Sequence, residues 1–250
     1  MTTALRRILF IVLIAVIWEV TSRVSGLPDF MFPSLLLVLE TLFTGLIDGQ
    51  ITEAVIKSIG RILLGFSIAL LLGLVFGYLI WRYKLVEDTL GFLVTALQSI
   101  PSIVWFPLAI IWFGLNEFAI LFIVTIGATW TMTLNASSGF KNVPSLYQRV
   151  AKTYGSGGFH FLRTVIIPAS VPQLLSGMRI AWAFSWRALM AGELLASSGG
   201  LGQLLDAGRS LGQMDLVISV MIIIAVIGTI MDQLIFLRLE RSVQRKWGIS

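Results

Sequence analysis

The feature that most constrains this chain is the run of 20 residues from Ile62 to Trp81, which contains no charged side chain. A helix of about 20 apolar residues is long enough to cross the hydrocarbon core of a bilayer. Similar apolar runs recur along the chain, and only 12% of its 250 residues are charged, about half the fraction usual in soluble domains. The sequence therefore predicts an all-α polytopic membrane protein and excludes a water-soluble enzyme.

The apolar runs predict about six membrane helices with short connections. The runs cover residues 6–24, 62–81, 89–114, 118–136, 174–196 and 216–237. Pro101 and Pro107 interrupt the third run, which predicts a kinked or broken helix. Ahead of the second run, residues 34–47 place a stripe of polar side chains on one face, a pattern typical of a helix in the membrane interface. The stripe consists of Glu40, Thr41, Thr44 and Asp48.

This interpretation gives one membrane domain. Residues 1–58 form the first span and the interfacial helix, and residues 59–238 form the core bundle. A polar loop at 137–172 belongs to that bundle, and residues 239–250 form a basic tail. Little length remains for a separate extramembrane domain.

The distribution of cations predicts the orientation. With six spans, 12 of the 18 Lys and Arg residues lie on one side: Arg6, Arg7, Arg82, Lys84, Lys141, Arg149, Lys152, Arg163, Arg238, Arg241, Arg245 and Lys246. The other side has chiefly Lys57, Arg61 and Arg209. Because cation-rich loops stay in the cytoplasm, both termini and the polar loop are predicted to be cytoplasmic. The basic excess then reflects orientation in the lipid bilayer, and we expect no nucleic-acid partner.

Residues suited to catalysis or metal binding are scarce. The chain has no cysteine and only one histidine, His160, so it cannot form a cluster of thiolate or histidine ligands. The glycine clusters at 155–158 and 199–202 lack the sequence and the strand-to-helix context of a nucleotide-binding loop. We therefore expect no bound metal, no bound cofactor and no catalytic residue in this chain.

The polar loop is long for a simple connection, and its sequence predicts short helices. One begins at Pro144 and Ser145 and is stopped by Gly155, and a second begins near Phe159 and ends before Pro168. Several of its side chains are too apolar to be simply solvated: Ala151, Tyr154 and Leu162. The loop therefore docks either on its own helix bundle or on a separate soluble protein.

The polar loop resembles the cytoplasmic signature of binding-protein-dependent ABC importer permeases. That signature runs Glu-Ala-Ala, three residues, Gly, nine residues, Ile-x-Leu-Pro. Here the same spacing joins Arg149-Val150-Ala151, Gly155 and Val165-Ile166-Ile167-Pro168. Arg149 and Val150 depart from the pattern, so no role is expected for an acidic residue at position 149.

Other segments are similar to the nitrate, sulfonate, taurine and bicarbonate branch of that family. They are Leu27-Pro28, Phe32-Pro33-Ser34, residues 98–101 and 105–108, Ile111-Trp112-Phe113-Gly114, Ala191-Gly192-Glu193-Leu194 and Gly199-Gly200-Leu201-Gly202. The resemblance implies a type I importer permease fold with cytoplasmic coupling helices, in a prokaryotic inner membrane. It also implies a second permease subunit in the pore, either another copy of this chain or a similar partner.

The same resemblance implies the remaining partners. Two cytoplasmic ATPases would hold ATP and magnesium, and an extracytoplasmic binding protein would deliver the substrate. The polar loop would sit in a groove on the ATPase. The residues placed at that contact are Arg149, Ala151, Tyr154, Gly155 and Ser156, with Pro168 closing the signature.

Arg187 is the leading candidate for substrate contact, because its guanidinium in the outer part of the fifth span could bind an oxyanion through two parallel hydrogen bonds. An ion pair with Glu193 or Asp232 is the alternative. Neutral donors that line a path, or that bond their own helix backbone instead, are Gln98, Ser99, Thr129, Thr131, Thr133 and Ser185. Candidates for an outer loop or gate are Glu193, Gly199 and Gly200.

Function follows as an expectation. The chain would be the permease subunit, without catalysis of its own, of an ATP-driven importer for a small oxyanion such as nitrate, bicarbonate, a sulfonate or taurine. The alternatives are a stand-alone secondary transporter or channel, a membrane-embedded enzyme and a structural scaffold. A secondary transporter needs no ATPase-docking helix, so the polar loop discriminates between it and the importer.

Overall fold

The computed structural model describes residues 3–196 and 198–247. Over these residues the regular structure is helical, without a strand, which confirms the all-α prediction. The helices are α1 Thr3–Val24, α2 Leu35–Ile47, α3 Gln50–Arg82, α4 Lys84–Gln98, α5 Ser102–Phe113, α6 Glu117–Lys141, α7 Ser145–Thr153, α8 Gly158–Phe161, α9 Ile167–Leu195, α10 Leu201–Ser210, α11 Met214–Ile230 and α12 Leu237–Trp247. π-helical turns lie in α4 (Glu87–Gly91), between α8 and α9 (Leu162–Ile166) and between α11 and α12 (Met231–Phe236).

Within the described residues, three helices are long and apolar enough to cross a membrane: Gln50–Arg82, Glu117–Lys141 and the continuous Met214–Arg245. Together α4 and α5 form a fourth, broken span with a bend of 100°. These four match the predicted second, third, fourth and sixth spans. The first and fifth predicted spans are helical as α1 and α9, with 22 and 29 residues. Both contain several charged side chains, and their composition keeps them out of the set of candidate membrane spans. Six crossings therefore remain a prediction.

The chain divides into two compact units. The first unit comprises Met1–Ser58 with Glu193–Val226, and the second comprises Ile59–Gly192 with Ile227–Ser250.

In the first unit, the proline-containing turn before α2 is fastened to α1. The indole of Trp18 donates to the Pro33 carbonyl oxygen at 3.0 Å, and its ring stacks on Phe32 with centroids 5.5 Å apart. The Glu19 carboxylate accepts from the Leu35 backbone N–H at 2.9 Å. Ser34 caps α2 by accepting from the Leu37 N–H at 3.2 Å. These contacts explain why α2 begins directly after Pro33 and Ser34.

Helix α2 packs on α11 in the same unit. The Thr41 hydroxyl donates to Asp215 at 2.6 Å, and the Ser219 hydroxyl donates to the Val38 carbonyl at 2.7 Å. One member of the predicted polar stripe thus makes a tertiary contact. The whole stripe lines a groove of about 310 Å³, and its position in the membrane interface stays a prediction.

Helix α6 is the centre of the second unit. Glycines of α3 approach it so closely that an added Cβ would lie 2.7 Å from Val124 at Gly65 and 2.6 Å from Ala136 at Gly77. On α9, a Cβ at Gly177 would lie 2.5 Å from Asn135. The small-residue faces of both neighbouring helices are thus used to pack on α6.

Two ion pairs connect the ends of α6 to neighbouring helices in this unit. At one end of α6, Glu117 pairs with Arg61 of α3 at 2.9 Å. At the other end, Lys141 pairs with Glu87 of α4 at 2.6 Å. Arg61 belongs to the predicted outer side and Lys141 to the predicted cytoplasmic side, so the two ion pairs lie at opposite ends of α6.

Candidate functional site

The break between α4 and α5 supplies the polar groups of a candidate transport path. Helix α4 ends at Gln98, Pro101 lies in the break, and a short 3₁₀ turn from Ser102 leads into the rest of α5. The expected interruption is therefore at Pro101. Pro107 lies in the first turn of the regular part of α5, where a missing N–H is tolerated, and causes no break. Irregular backbone at membrane depth is tolerated where it is buried in protein or lines a cavity.

A cavity of about 230 Å³ lies at this break. Its lining mixes polar and apolar groups: Gln98, Ser99, Ile100, Pro101 and Ser102 from the break, Ile126, Gly127, Trp130 and Thr131 from α6, and Phe184 from α9. The Gln98 amide and the Ser102 and Thr131 hydroxyls can donate hydrogen bonds to a small polar solute without presenting a fixed charge, whereas the Ser99 hydroxyl already donates to the Ala96 carbonyl at 2.7 Å. We call this space the break cavity.

The structure separates the neutral path candidates into two groups. Gln98, Ser99 and Thr131 line the break cavity, although the Ser99 hydroxyl also bonds to backbone. Thr129, Thr133 and Ser185 are buried, and their hydroxyls donate to backbone carbonyls at 2.7, 2.8 and 3.3 Å. These three therefore follow the alternative in which the hydroxyl bonds to backbone.

Three α6 residues that line the break cavity share a signal in the sequence, and of these only Thr131 was among the sequence-based path candidates. Gly127, Trp130 and Thr131 are spaced three and four apart, which places them on one helical face. An added Cβ at Gly127 would lie 3.2 Å from the side chain of Ser102. The spacing was readable in the sequence, but the helix that this face meets was not.

Arg187 is exposed on α9, with its guanidinium carbon 5.3 Å from the centre of the Phe184 ring. Phe184 lines the break cavity, so Arg187 lies about one helical turn from that lining. Asp232, one of the two suggested ion-pair partners, is bound by Arg179 through two hydrogen bonds of 2.5 and 2.8 Å. Arg179 was not among the ion-pair partners predicted from the sequence.

Glu193 is fully buried in the first unit, at the end of α9. Its carboxylate lies within hydrogen-bonding distance of the Ser58 hydroxyl at 2.7 Å and accepts from the Gly202 N–H at 3.0 Å. The Ser58 oxygen also accepts from the Leu201 N–H at 2.9 Å. The arrangement joins α3, α9 and the beginning of α10.

In the polar loop, α7 ends in a Schellman motif. The Gly155 N–H donates to the Lys152 carbonyl at 3.0 Å, and the Ser156 N–H donates to the Ala151 carbonyl at 2.9 Å. Gly155 has a φ of +74°, which favours glycine. The predicted first loop helix and its stop at Gly155 are therefore confirmed.

The second predicted loop helix is wrong at its end. Helical structure continues from α8 through a π-helical turn into α9, and both Pro168 and Pro172 lie in the first part of α9. The two prolines and the π-helical turn lie together where the regular hydrogen-bond ladder is interrupted.

Exposure distinguishes the candidate coupling residues. Arg149 and Gly155 are exposed, Tyr154 is 87% exposed, and Ser156 is partly exposed, whereas Ala151 is buried on the inner face of α7. Three exposed apolar residues of α7 were not selected from the sequence: Leu146, Tyr147 and Val150. With Tyr154 they form an exposed stripe at helical spacing, typical of a surface that binds another protein.

No group of three or more His, Cys, Asp or Glu residues able to hold a metal ion occurs among the described residues.

Comparison with known proteins is consistent with this geometry. Residues 69–244 match the family described as the binding-protein-dependent transport system inner membrane component. A Methanocaldococcus jannaschii protein named as an ABC transporter permease is 37% identical, over 88% of this chain and 84% of its own length. A bicarbonate transport system permease protein of Synechococcus elongatus is 30% identical, over 80% and 72%. The taurine transport system permease protein of Escherichia coli is 28% identical, over 88% and 82%.

The fold is also known from solved structures. A chain of the inward-facing methionine ABC transporter MetNI superposes with a TM-score of 0.68 at 18% sequence identity, covering 77% of this chain and 95% of that one. This similarity supports the type I importer permease fold. The chain belongs to the binding-protein-dependent ABC importer permeases, and it is a transport component of the inner membrane rather than an enzyme.

Proposed function

We propose that this permease passes a small oxyanion from an extracytoplasmic binding protein into the cytoplasm. The observation that supports this substrate class most directly is the break cavity, with uncharged donors in its lining and the Arg187 guanidinium about one turn away. Oxyanions such as nitrate, bicarbonate and sulfonates accept hydrogen bonds from both kinds of group. Relatives named as bicarbonate, taurine and nitrate permeases support the same class.

Energy for import comes, in this proposal, from two cytoplasmic ABC ATPases that hold ATP and magnesium. The exposed stripe on α7 and the neighbouring Gly155 form the surface that docks on an ATPase. The chain itself holds no cofactor. Both termini lie in the cytoplasm, as the cation distribution predicts.

The pore is formed by two copies of this chain. Glycines of α3 and α9 are already packed on α6 of the same chain, so these small-residue faces do not supply the dimer interface. The exposed position of Arg187 is compatible with a pore between two copies. A heterodimer with a similar permease is the alternative.

Copurification tests the importer function. The chain is solubilised in detergent from its native membrane, and the proteins that remain bound are identified and assayed for ATP hydrolysis. A bound ABC ATPase is the expected result. A well-folded chain that retains no ATPase even after crosslinking contradicts the proposal and favours a stand-alone carrier.

Replacing Arg187 with glutamine should lower oxyanion uptake about tenfold to a hundredfold, because a charge-assisted bidentate contact is lost. Replacing it with lysine should retain more uptake, since the charge remains but the planar donor pair does not. Uptake of labelled nitrate, bicarbonate and taurine is measured separately in vesicles that contain the complete transporter.

The matched control for this test is Arg209→Gln. Arg209 is an exposed arginine on α10 that pairs with Asp206 at 2.7 Å. Its removal should leave uptake within about twofold of wild type, as an exposed ion pair contributes little. Equal losses in the two glutamine variants would argue against a substrate role for Arg187.

A further inference from the structure

A buried carboxylate needs compensation, and in the first unit the segment that begins α10 supplies part of it to Glu193. Desolvation makes an isolated buried carboxylate very costly. Glu193 accepts from the Gly202 backbone N–H, and Gly202 is the second residue of α10. The N-terminus of a helix favours a negative charge through its free N–H groups and its dipole.

The Ser58 hydroxyl ties the same segment to α3. Ser58 is fully buried, lies 2.7 and 2.9 Å from the two carboxylate oxygens, and accepts from the Leu201 N–H at 2.9 Å. A single hydroxyl can donate to one acceptor and accept from another at the same time. Ser58 therefore bridges Glu193 and the first residue of α10.

Gly200 allows the loop backbone to lie directly against the Glu193 carboxylate. Its φ of +104° favours glycine, and an added Cβ would overlap the Glu193 carboxylate. Gly199 also has a positive φ, +85°, so the loop needs both glycines to turn over the carboxylate. We call residues 199–202 the outer loop, because the cation distribution predicts this side to be extracytoplasmic.

The outer loop forms one wall of a groove of about 260 Å³. Its other residues come from the first turns of α3 and from α10: Gln50, Glu53, Ala54, Lys57, Gln203, Leu204 and Ala207. Any displacement of the outer loop would change the shape of this groove.

We propose that Glu193 is the positioning residue that holds the outer loop and the beginning of α10 in the arrangement that accepts substrate from the binding protein. This inference rests on the proposed importer function. Glu193 acts through the Gly202 N–H and Ser58 and needs no contact with the substrate. The hydrogen bonds from the Gly202 N–H and Ser58 require an acceptor at this position, which glutamine keeps and alanine lacks.

A nitroxide label tests the positioning directly. The chain contains no cysteine, so Gln203→Cys provides a single labelling site on α10. In the detergent-solubilised full chain, Glu193→Ala should increase label mobility clearly, whereas Glu193→Gln should leave the spectrum close to wild type. Ser58→Ala tests the same link through a smaller change if Glu193→Ala fails to fold.

The matched control is Glu53→Gln. Glu53 is an exposed carboxylate that lines the same groove and pairs with Lys57 at 2.7 Å. Its replacement should leave the spectrum unchanged. A Glu193→Ala spectrum identical to wild type, or an equal change in the Glu53 control, overturns the proposal.

The effect of Glu193 on the acceptance of substrate from the binding protein is measured in the transporter reconstituted with its copurified ATPase and binding protein. Glu193→Ala should raise the binding-protein concentration needed for half-maximal ATPase stimulation at least about tenfold, with basal hydrolysis within about twofold. Glu193→Gln should restore the wild-type concentration, and failure of that rescue contradicts positioning. If the wild-type chain binds no ATPase, the importer function fails, while the nitroxide spectra still decide whether Glu193 positions the loop.

Discussion

Replacing Gly155 with leucine will abolish ATP-driven uptake while leaving the permease folded. An added Cβ at Gly155 meets no atom of this chain within 4 Å, so the new side chain causes no internal clash. The positive φ of +74° adds strain of about 1–2 kcal/mol, confined to the end of α7. The leucine projects from the surface predicted to enter the ATPase groove, and ATPase recovered with the permease should fall at least about thirtyfold, the loss expected at an interface hot spot.

Gly212 is the matched control for this experiment. Its φ of +70° and its empty surroundings reproduce the conformation and the free space at Gly155. It follows α10 on the predicted extracytoplasmic side, whereas the polar loop is predicted to be cytoplasmic. Gly212→Leu should therefore keep ATPase binding within about twofold of wild type, since it shares only the backbone strain. Equal ATPase losses in both variants would show that strain, and not the docking surface, is responsible.

The helices were largely predictable because their signals are local. The apolar runs, the helix predicted over residues 34–47 and the stop at Gly155 depend on neighbouring residues, and each appears as helical structure close to the predicted position. The continuous passage from α8 into α9 was missed, because a proline usually ends a helix and a π-helical turn has no clear sequence signal.

The candidate site was less predictable, because it depends on which helix faces meet. Thr129 and Thr133 have the same side chain as Thr131, yet only Thr131 lines the break cavity. Helical spacing divides these residues among faces, but only the packing of α6 against its neighbours decides which face is polar and open. Arg179 was not predicted as the partner of Asp232 for the same reason. The two residues lie more than 50 positions apart in the chain and meet only in the folded structure.

The sequence identifies a charged residue within a span but not the groups that compensate its charge. Glu193 was recognisable as a charged residue within a predicted span, where burial of the charge is energetically unfavourable, and it was a candidate for the outer loop or gate. The donors that compensate it include Ser58, 135 residues away, and a backbone N–H. A backbone donor has no side-chain signature, so only the structure could show how Glu193 is held.

Replacing Gly77 with leucine should destabilise the second unit strongly. A Cβ there would lie 2.6 Å from the Ala136 Cβ, 2.9 Å from the Thr133 carbonyl oxygen and 3.0 Å from the Ser137 backbone nitrogen. Backbone atoms cannot rotate aside, so α3 and α6 must separate. We expect the free energy of unfolding to fall by about 3 kcal/mol, the upper part of the range for overpacked cores. Reversible unfolding in mixed detergent micelles measures this change.

Gly60→Leu is the control that separates close packing from the loss of a glycine in a helix. Gly60 lies on the same helix and in the same unit, and an added Cβ meets no atom within 4 Å. Leucine has a higher helix propensity than glycine by about 0.5–1 kcal/mol, so Gly60→Leu should be neutral or slightly stabilising. The free energy of unfolding should therefore fall in Gly77→Leu and stay unchanged or rise slightly in Gly60→Leu. If both unfold with the same free energy, α3 and α6 do not approach as closely as the structure shows, and the small-residue spacing on α3 reflects another contact.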